Sequence, residues 1–139
     1  MSIDEIRPIV EHARHATLAT CEGGQPRIRP MSFTLTPDGR LLSSTRDTSG
    51  KMREFAANPR VELCFVDADK NHLRIEGRID VAGGDEAKRV LLEAHPPARR
   101  HFGDPDHPNL IHVEVIPTRI RWKPPGFCEY RVVRIAAGS

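Results

Sequence analysis

The clearest periodicity in the chain lies between Leu73 and Val81, where Leu73, Ile75, Gly77, Ile79 and Val81 alternate with Arg74, Glu76, Arg78 and Asp80. A period of two places one set on each face of a β-strand, so one surface meets a core and the other meets water or a partner. Val61, Leu63 and Phe65 repeat the alternation just before it. Nearer the N-terminus, Ala16–Cys21 is small, β-branched or apolar, and Glu22-Gly23-Gly24-Gln25 supplies a turn into a second strand over Arg27–Thr36. In that strand Met31, Phe33 and Leu35 share one face, and Ser32, Thr34 and Thr36 the other. Pro37-Asp38-Gly39 predicts another turn and Leu41–Thr45 a third strand. Later, Ile111, Val113 and Val115 occupy odd positions but Ile120 and Trp122 even ones. That change of parity near Pro117 predicts a bulge or kink, with a last strand around Glu129–Ile135.

Helical spacing interrupts the strands three times. Ser2 and Glu5 form a capping-box pattern ahead of Ile6, Ile9, Val10 and Ala13, although Pro8 requires the helix to kink or to start later. Met52, Phe55 and Ala56 predict a helix between Thr48 and Asn58, capped by Thr48 or Ser49 and ended by Asn58-Pro59. Asp85 caps a third, with Ala87, Val90, Leu91 and Ala94 as its apolar face. The stretch from His95 to Pro108, rich in Pro, His and Arg, reads as a long loop. The predicted order is helix, three strands, helix, two strands, helix, two strands. This mainly β pattern with short helices fits a closed or nearly closed antiparallel barrel, because closure removes exposed edges.

A chain of 139 residues, 38% apolar and 29% charged, is expected to fold as a single domain over residues 1–139. The net charge is only +2 and its basic residues are interleaved with acids, which argues against nucleic acid as a partner. Its apolar runs are far below the roughly 20 residues that span a bilayer, and no signal-peptide core opens it, so no membrane is expected and a cytoplasmic location is. Cys21, Cys64 and Cys128 are odd in number and form no CxxC pair, so buried, reduced thiols are expected. His95, His101, His107 and His112 match no standard ligand spacing, and no metal is expected.

Two segments carry candidate chemistry. Ser44-Thr45-Arg46-Asp47-Thr48-Ser49-Gly50-Lys51 gathers hydroxyls and two cations where a strand passes into a helix. Free N–H groups and the helix dipole make such a junction an anion site, with Ser, Thr and Lys side chains completing it. The plain alternative is a solvated, well-capped helix start, since no GxxxxGK[ST] motif is present. In Arg27-Ile28-Arg29-Pro30-Met31, a regular strand points Arg29 to the apolar face of Met31 and Phe33, where a charge is costly unless paired. Arg29 either meets a ligand anion or reaches solvent from the strand end, Pro30 favouring an edge or bulge. No Ser-His-Asp or Cys-His arrangement is evident.

Four segments in order, ATLAT, PRIRPMSF, LLSSTRDTSGKMREFAANPRVELCF and LRIEGRIDV, resemble the pyridoxamine 5′-phosphate oxidase-like FMN-binding split barrels over about Ile9 to Trp122. The fragment RIEGRIDVAGGDEAKRVLLEAHPP is most similar to the nitroimidazole-resistance and general-stress flavoprotein subgroup. The resemblance implies FMN, with its phosphate near Arg29, Ser44 or Thr45, Ser49 and Lys51, and with backbone from Arg29 through Pro30 to Met31 along the isoalloxazine. It implies a homodimer with the cofactor between subunits, Trp122 being a candidate for the inter-subunit contribution. His101 and His107 are candidates for the substrate side. The implied activity is a flavin-dependent oxidoreductase that passes electrons from a reduced donor to a small organic acceptor or oxygen, with no catalytic acid or base singled out. Alternatives are a deazaflavin-dependent reductase of the same fold and a non-catalytic flavin-binding stress protein. The family's namesake enzymes end in an Arg-x-His motif that grips substrate phosphate. The tail Arg121-Trp122-Lys123-Pro124-Pro125-Gly126 has no equivalent, so that activity is not expected.

Overall fold

His15–Glu22 (β1) runs back along Gln25–Ser32 (β2) through a two-residue turn in which Gly23 and Gly24 hold φ of +56° and +79°. Two positive φ values define the hairpin turn that matches strand twist, and glycine adopts them without a Cβ penalty. The computed structural model describes residues 1–46 and 51–135. Its further strands are Thr34–Leu35 (β3), Leu41–Arg46 (β4), Arg60–Val66 (β5), His72–Asp80 (β6), Leu110–Lys123 (β7) and Arg131–Val133 (β8). All pairings are antiparallel, in the order β2-β1-β5-β6-β7-β4-β3, with β8 added on β7.

The outermost strands of that order, β2 and β3, are joined through Phe33 alone. The single strand expected over Arg27–Thr36 is therefore two. The chain leaves β1 after Ser32, buries Phe33, and re-pairs with β4 on the opposite edge, so the sheet curls into a split barrel. Met31, Phe33 and Leu35 all point into its core, as their spacing predicts. Pro26 and Pro30 share a parity in β2, each removing one N–H, which suits a strand that keeps one side unpaired.

The helices are Ile3–Ala13 (α1), Lys51–Ala57 (α2), Asp85–Ala94 (α3) and Pro96–Phe102 (α4). The α1 helix starts directly after Ser2, whose N–H donates to Glu5 Oε1 at 3.1 Å, and it runs through Pro8, so of the two expected outcomes the later start does not occur. Its Ile6 and Val10 join the barrel core of Leu18, Leu63, Phe65, Leu73, Ile75 and Ile120. The expected long loop instead contains α4. Pro96 and Pro97 fill its first turn, where a missing N–H costs nothing, and Ala98 and Phe102, four apart, are buried. With Leu91 and Leu92 of α3 they cover Leu42 and Leu110 in a second core outside the barrel. The buried face of α3 is therefore Leu91 and Leu92, while Val90 is exposed, and its N-cap is Gly84 rather than Asp85. The last strand is shorter than expected. No helix among the described residues is long and apolar enough to cross a membrane.

The parity change in β7 is a bulge. Gly77 pairs with Pro117 and Glu76 with Arg119, leaving Thr118 as the extra residue. A Cβ on Gly77 would lie 2.7 Å from the Ile116 carbonyl oxygen and 2.8 Å from Val115 Cγ1. Gly77→Ala is expected to lower stability by about 1–3 kcal/mol, read as a lower urea midpoint at unchanged slope.

Candidate functional site

Pairing between β3 and β4 covers Thr34 opposite Leu42 and Leu35 opposite Leu41, while Ser32 still pairs with His15 of β1. Ser43 Oγ donates to the Ser32 carbonyl oxygen at 2.6 Å and ties the two edges together there. Beyond that tie the edges part, β2 remaining with β1 and β4 with β7. Arg29, Pro30 and Met31 flank one side of this opening and Ser44 and Thr45 the other. Thr45 is buried on the interior face with Leu41 and Ser43, whereas Ser44 lies half-buried on the outward face with Leu42. Pro30 is exposed and Met31 buried.

The α2 helix closes the same end. Phe55 enters the barrel core, and Glu54, one residue earlier, turns toward β1 and β2. Lys51 opens this helix, its side chain lying outside the described residues, as does the whole of Ser49. Trp122 is not brought to this group. It lies eleven residues along β7 from Ile111, the partner of Thr45, a path on the order of 35 Å. There its Nε1 donates to Asn71 Oδ1 at 3.3 Å and the Arg131 guanidinium lies 5.4 Å from its ring centroid.

Arg29 neither reaches solvent nor stands alone on the apolar face. Its guanidinium pairs with the Glu54 carboxylate, the two side chains being 14% and 15% exposed. Thr20 Oγ1 also donates to Glu54 Oε2 at 3.2 Å. Arg27 lies 3.7 Å from Glu54 and 3.9 Å from Glu22, and Arg53 is 3.8 Å from Glu22. Among the described residues three guanidiniums thus share two carboxylates along β1, β2 and α2, a local positive surplus in that group. Sequence reasoning did not single out Glu54. The available signal was that a buried guanidinium demands a carboxylate, and Glu54 is the one acid in α2.

The histidines divide. Exposed His101 accepts from Arg46 Nε at 3.4 Å, and Phe102 packs edge-on against His101 and His107. His112 is buried, which lowers its pKa. His95 is 1% exposed, with Nδ1 2.7 Å from Thr34 Oγ1 and Nε2 3.4 Å from Ser32 Oγ. Burial, then the charge of Arg100, pushes its pKa from 6.5 down to about 4. Of the thiols expected to be buried, Cys21 and Cys64 are partly so, Cys64 with its pKa raised by burial, while Cys128 is exposed. Among the described residues no group of three or more His, Cys, Asp or Glu is placed to hold a metal.

Two outcomes are expected. Glu54→Gln strands a largely buried guanidinium and should cost about 1–3 kcal/mol in urea unfolding. His95 is neutral in the folded protein below the pH at which the unfolded chain takes up its proton. Its contribution is therefore complete above pH 6.5 and drains away as pH falls toward about 4. The loss over that window is on the order of 3 kcal/mol, and His95→Asn should flatten it in unfolding curves measured across pH.

The sequence matches the pyridoxamine 5′-phosphate oxidase family over residues 2–121. It is 26% identical over 125 residues to general stress protein 26 of Bacillus subtilis (strain 168), covering 84% of each chain. Among solved structures, a NimC/NimA family protein from Clostridium acetobutylicum superposes with a TM-score of 0.76 at 23% identity, over 94% of this chain and 90% of that one. A heme binding protein from Mycobacterium smegmatis gives 0.75 at 22% identity, over 95% of this chain but 57% of the other. These structural likenesses concern the fold, while the family match spans nearly the whole barrel, including both sides of the opening: the chain belongs to the pyridoxamine 5′-phosphate oxidase family.

Proposed function

We propose that this chain is a cytoplasmic FMN-binding protein acting as an oxidoreductase, with the cofactor at the opening between β2 and β4 and a second copy of the chain completing the site. The observation that supports it most is the positive surplus of Arg27, Arg29 and Arg53 over Glu22 and Glu54 on the β2 side, taken with the hydroxyls of Ser44 and Thr45 on β4. An anionic phosphate fits such a place, and hydroxyls add short-range donors to the charge. The residues that would hold the phosphate are Ser44 or Thr45, Ser49 and Lys51, with Arg29 alongside. Backbone from Arg29 to Met31 would border the ring.

Bound FMN supplies electron transfer between a reduced donor and a small organic acceptor or oxygen. The protein's part is to orient it, and a cation or N–H near the N1–C2=O edge favours the negatively charged reduced ring. Arg29 is suited to this because Glu54 and Thr20 fix its position before any ligand arrives. The homodimer is what the family resemblance implies, and the place of Trp122 beside Asn71 and Arg131, eleven residues along β7 from Ile111, is compatible with its contribution coming from a two-fold partner.

The test is a visible absorption titration with FMN. A shifted band saturating near one FMN per chain is expected, and Ser49→Ala with Lys51→Ala should weaken binding by roughly 1–3 kcal/mol per lost contact. Absence of binding with FMN, alongside saturation by a deazaflavin or by heme, would replace the proposed cofactor. Sedimentation at micromolar concentration should give a dimer, and a monomer would remove the shared site. Reoxidation of reduced protein no faster than free FMN with every candidate acceptor would leave a flavin-binding module without turnover.

A further inference from the structure

We propose that His95 is the positioning residue of the opening, a clamp that holds the point where the chain changes partner and thereby sets Arg29–Met31 against Ser44–Thr45; the link to FMN rests on the proposed function. The β2 ladder ends at Ser32, paired with His15, and the β3 ladder starts at Thr34, paired with Leu42, so no single ladder spans the crossover and Phe33 is in neither. The imidazole reaches both sides of it, Thr34 Oγ1 at 2.7 Å and Ser32 Oγ at 3.4 Å. Ser32 in turn receives Ser43 Oγ on its carbonyl at 2.6 Å. Four side chains from β2, β3, β4 and the α3–α4 junction thus meet at one place.

The ring is itself held. His95 ends α3, its N–H donating to the Leu91 carbonyl at 2.8 Å, and begins α4, its carbonyl accepting from Ala98 N–H at 3.1 Å. Capping alone does not require an imidazole, since Asn, Ser or Gly serves at such a junction without the desolvation cost of a ring that is 1% exposed. A neutral imidazole offers one donor and one acceptor, and here each ring nitrogen faces a hydroxyl that can do either. Arg100 on α4 is the charged neighbour, the faces from β2 and β3 presenting only hydroxyls. Met31 and Arg29 lie one and three residues before Ser32 on a strand that is free along one edge, so a shift of Ser32 is passed to them.

The experiment compares wild type, His95→Leu and Leu91→Val, the last weakening the same outer core without touching Ser32 or Thr34. Two quantities are read: FMN affinity by absorption titration, and amide hydrogen exchange of Met31–Thr34 in the protein without FMN. His95→Leu should exchange at least tenfold faster over that segment and bind FMN at least tenfold more weakly, whereas Leu91→Val lowers the melting temperature and changes neither. Equal exchange and equal affinity in the two variants overturn the clamp. Should His95→Leu fail to fold, Ser32→Ala removes only the crossover contact. About threefold faster exchange and threefold weaker binding then support the clamp, and unchanged values overturn it. If wild type binds no FMN, the cofactor reading fails by itself, and exchange still decides the role of His95.

Discussion

The two edges of the sheet are covalently joined, and that join governs how the barrel closes and where it stays open. Because β2 and β3 are consecutive and yet lie at opposite ends of the strand order, the chain must cross from one edge to the other within a single residue, Phe33. Burying that ring inside the barrel keeps the crossover inward, and Met31 and Leu35 on either side do the same. The edges can touch only where they are joined. Toward Arg29 and Arg46 each edge keeps to its own neighbour, β2 to β1 and β4 to β7. The prolines at 26 and 30 reinforce this by removing donors that an added strand would need.

Everything polar around the gap answers to that geometry. The interior face of β2 continues past Met31 to Arg29, so a guanidinium arrives where the core ends, and α2 brings Glu54 to meet it while Phe55 seals the core behind. The compensation is incomplete in charge although complete in geometry. Arg29 is held, but Arg27 shares the same carboxylate from a longer distance, and Glu22 is divided between Arg27 and Arg53. A buried pair with perfect neutrality would serve only stability, and on balance such pairs contribute little. The surplus is tolerated because the Arg27 and Arg53 side chains are 51% and 83% exposed to solvent.

The parts of this architecture written into local patterns were legible in the sequence itself. The alternation of Leu73 to Ile79 marks the central strand, the parity change around Pro117 marks the bulge at Thr118, and the paired glycines mark the first turn. What could not be read depends on partners distant in sequence. Met31, Phe33 and Leu35 keep one parity through the crossover, so period two continues unbroken while the hydrogen-bonding partner changes, and the strand looks single. Pro96-Pro97 reads as a loop because proline breaks helices, yet at a first turn it begins one. For the site, Arg29, Pro30 and Met31 lie on β2 and Ser44 and Thr45 on β4, two strands in contact through Ser43 and Ser32. Glu54 and Thr20 went unnoticed because their role exists only once α2 folds over β1.

The proposed two-fold association is tied to the same constraint through the far end of the barrel. β7 is long enough to pair with β4 at its start and with β8 at its end, so a single strand connects the opening to the neighbourhood of Trp122 without bringing them together. A cofactor that needs both an anion site and an aromatic neighbour cannot find them in one copy, because a rigid, fully paired strand holds them apart. On the proposed reading, a second copy related by a two-fold axis would bring its own Trp122 to each opening. The sheet face between the two ends, where Arg74 and Arg121 flank Tyr130 and Glu62 and Glu76 pair with their neighbours, is polar enough to stay solvated in a free chain. If the site is shared as proposed, cofactor bound across the interface would stabilise the assembled form by mass action.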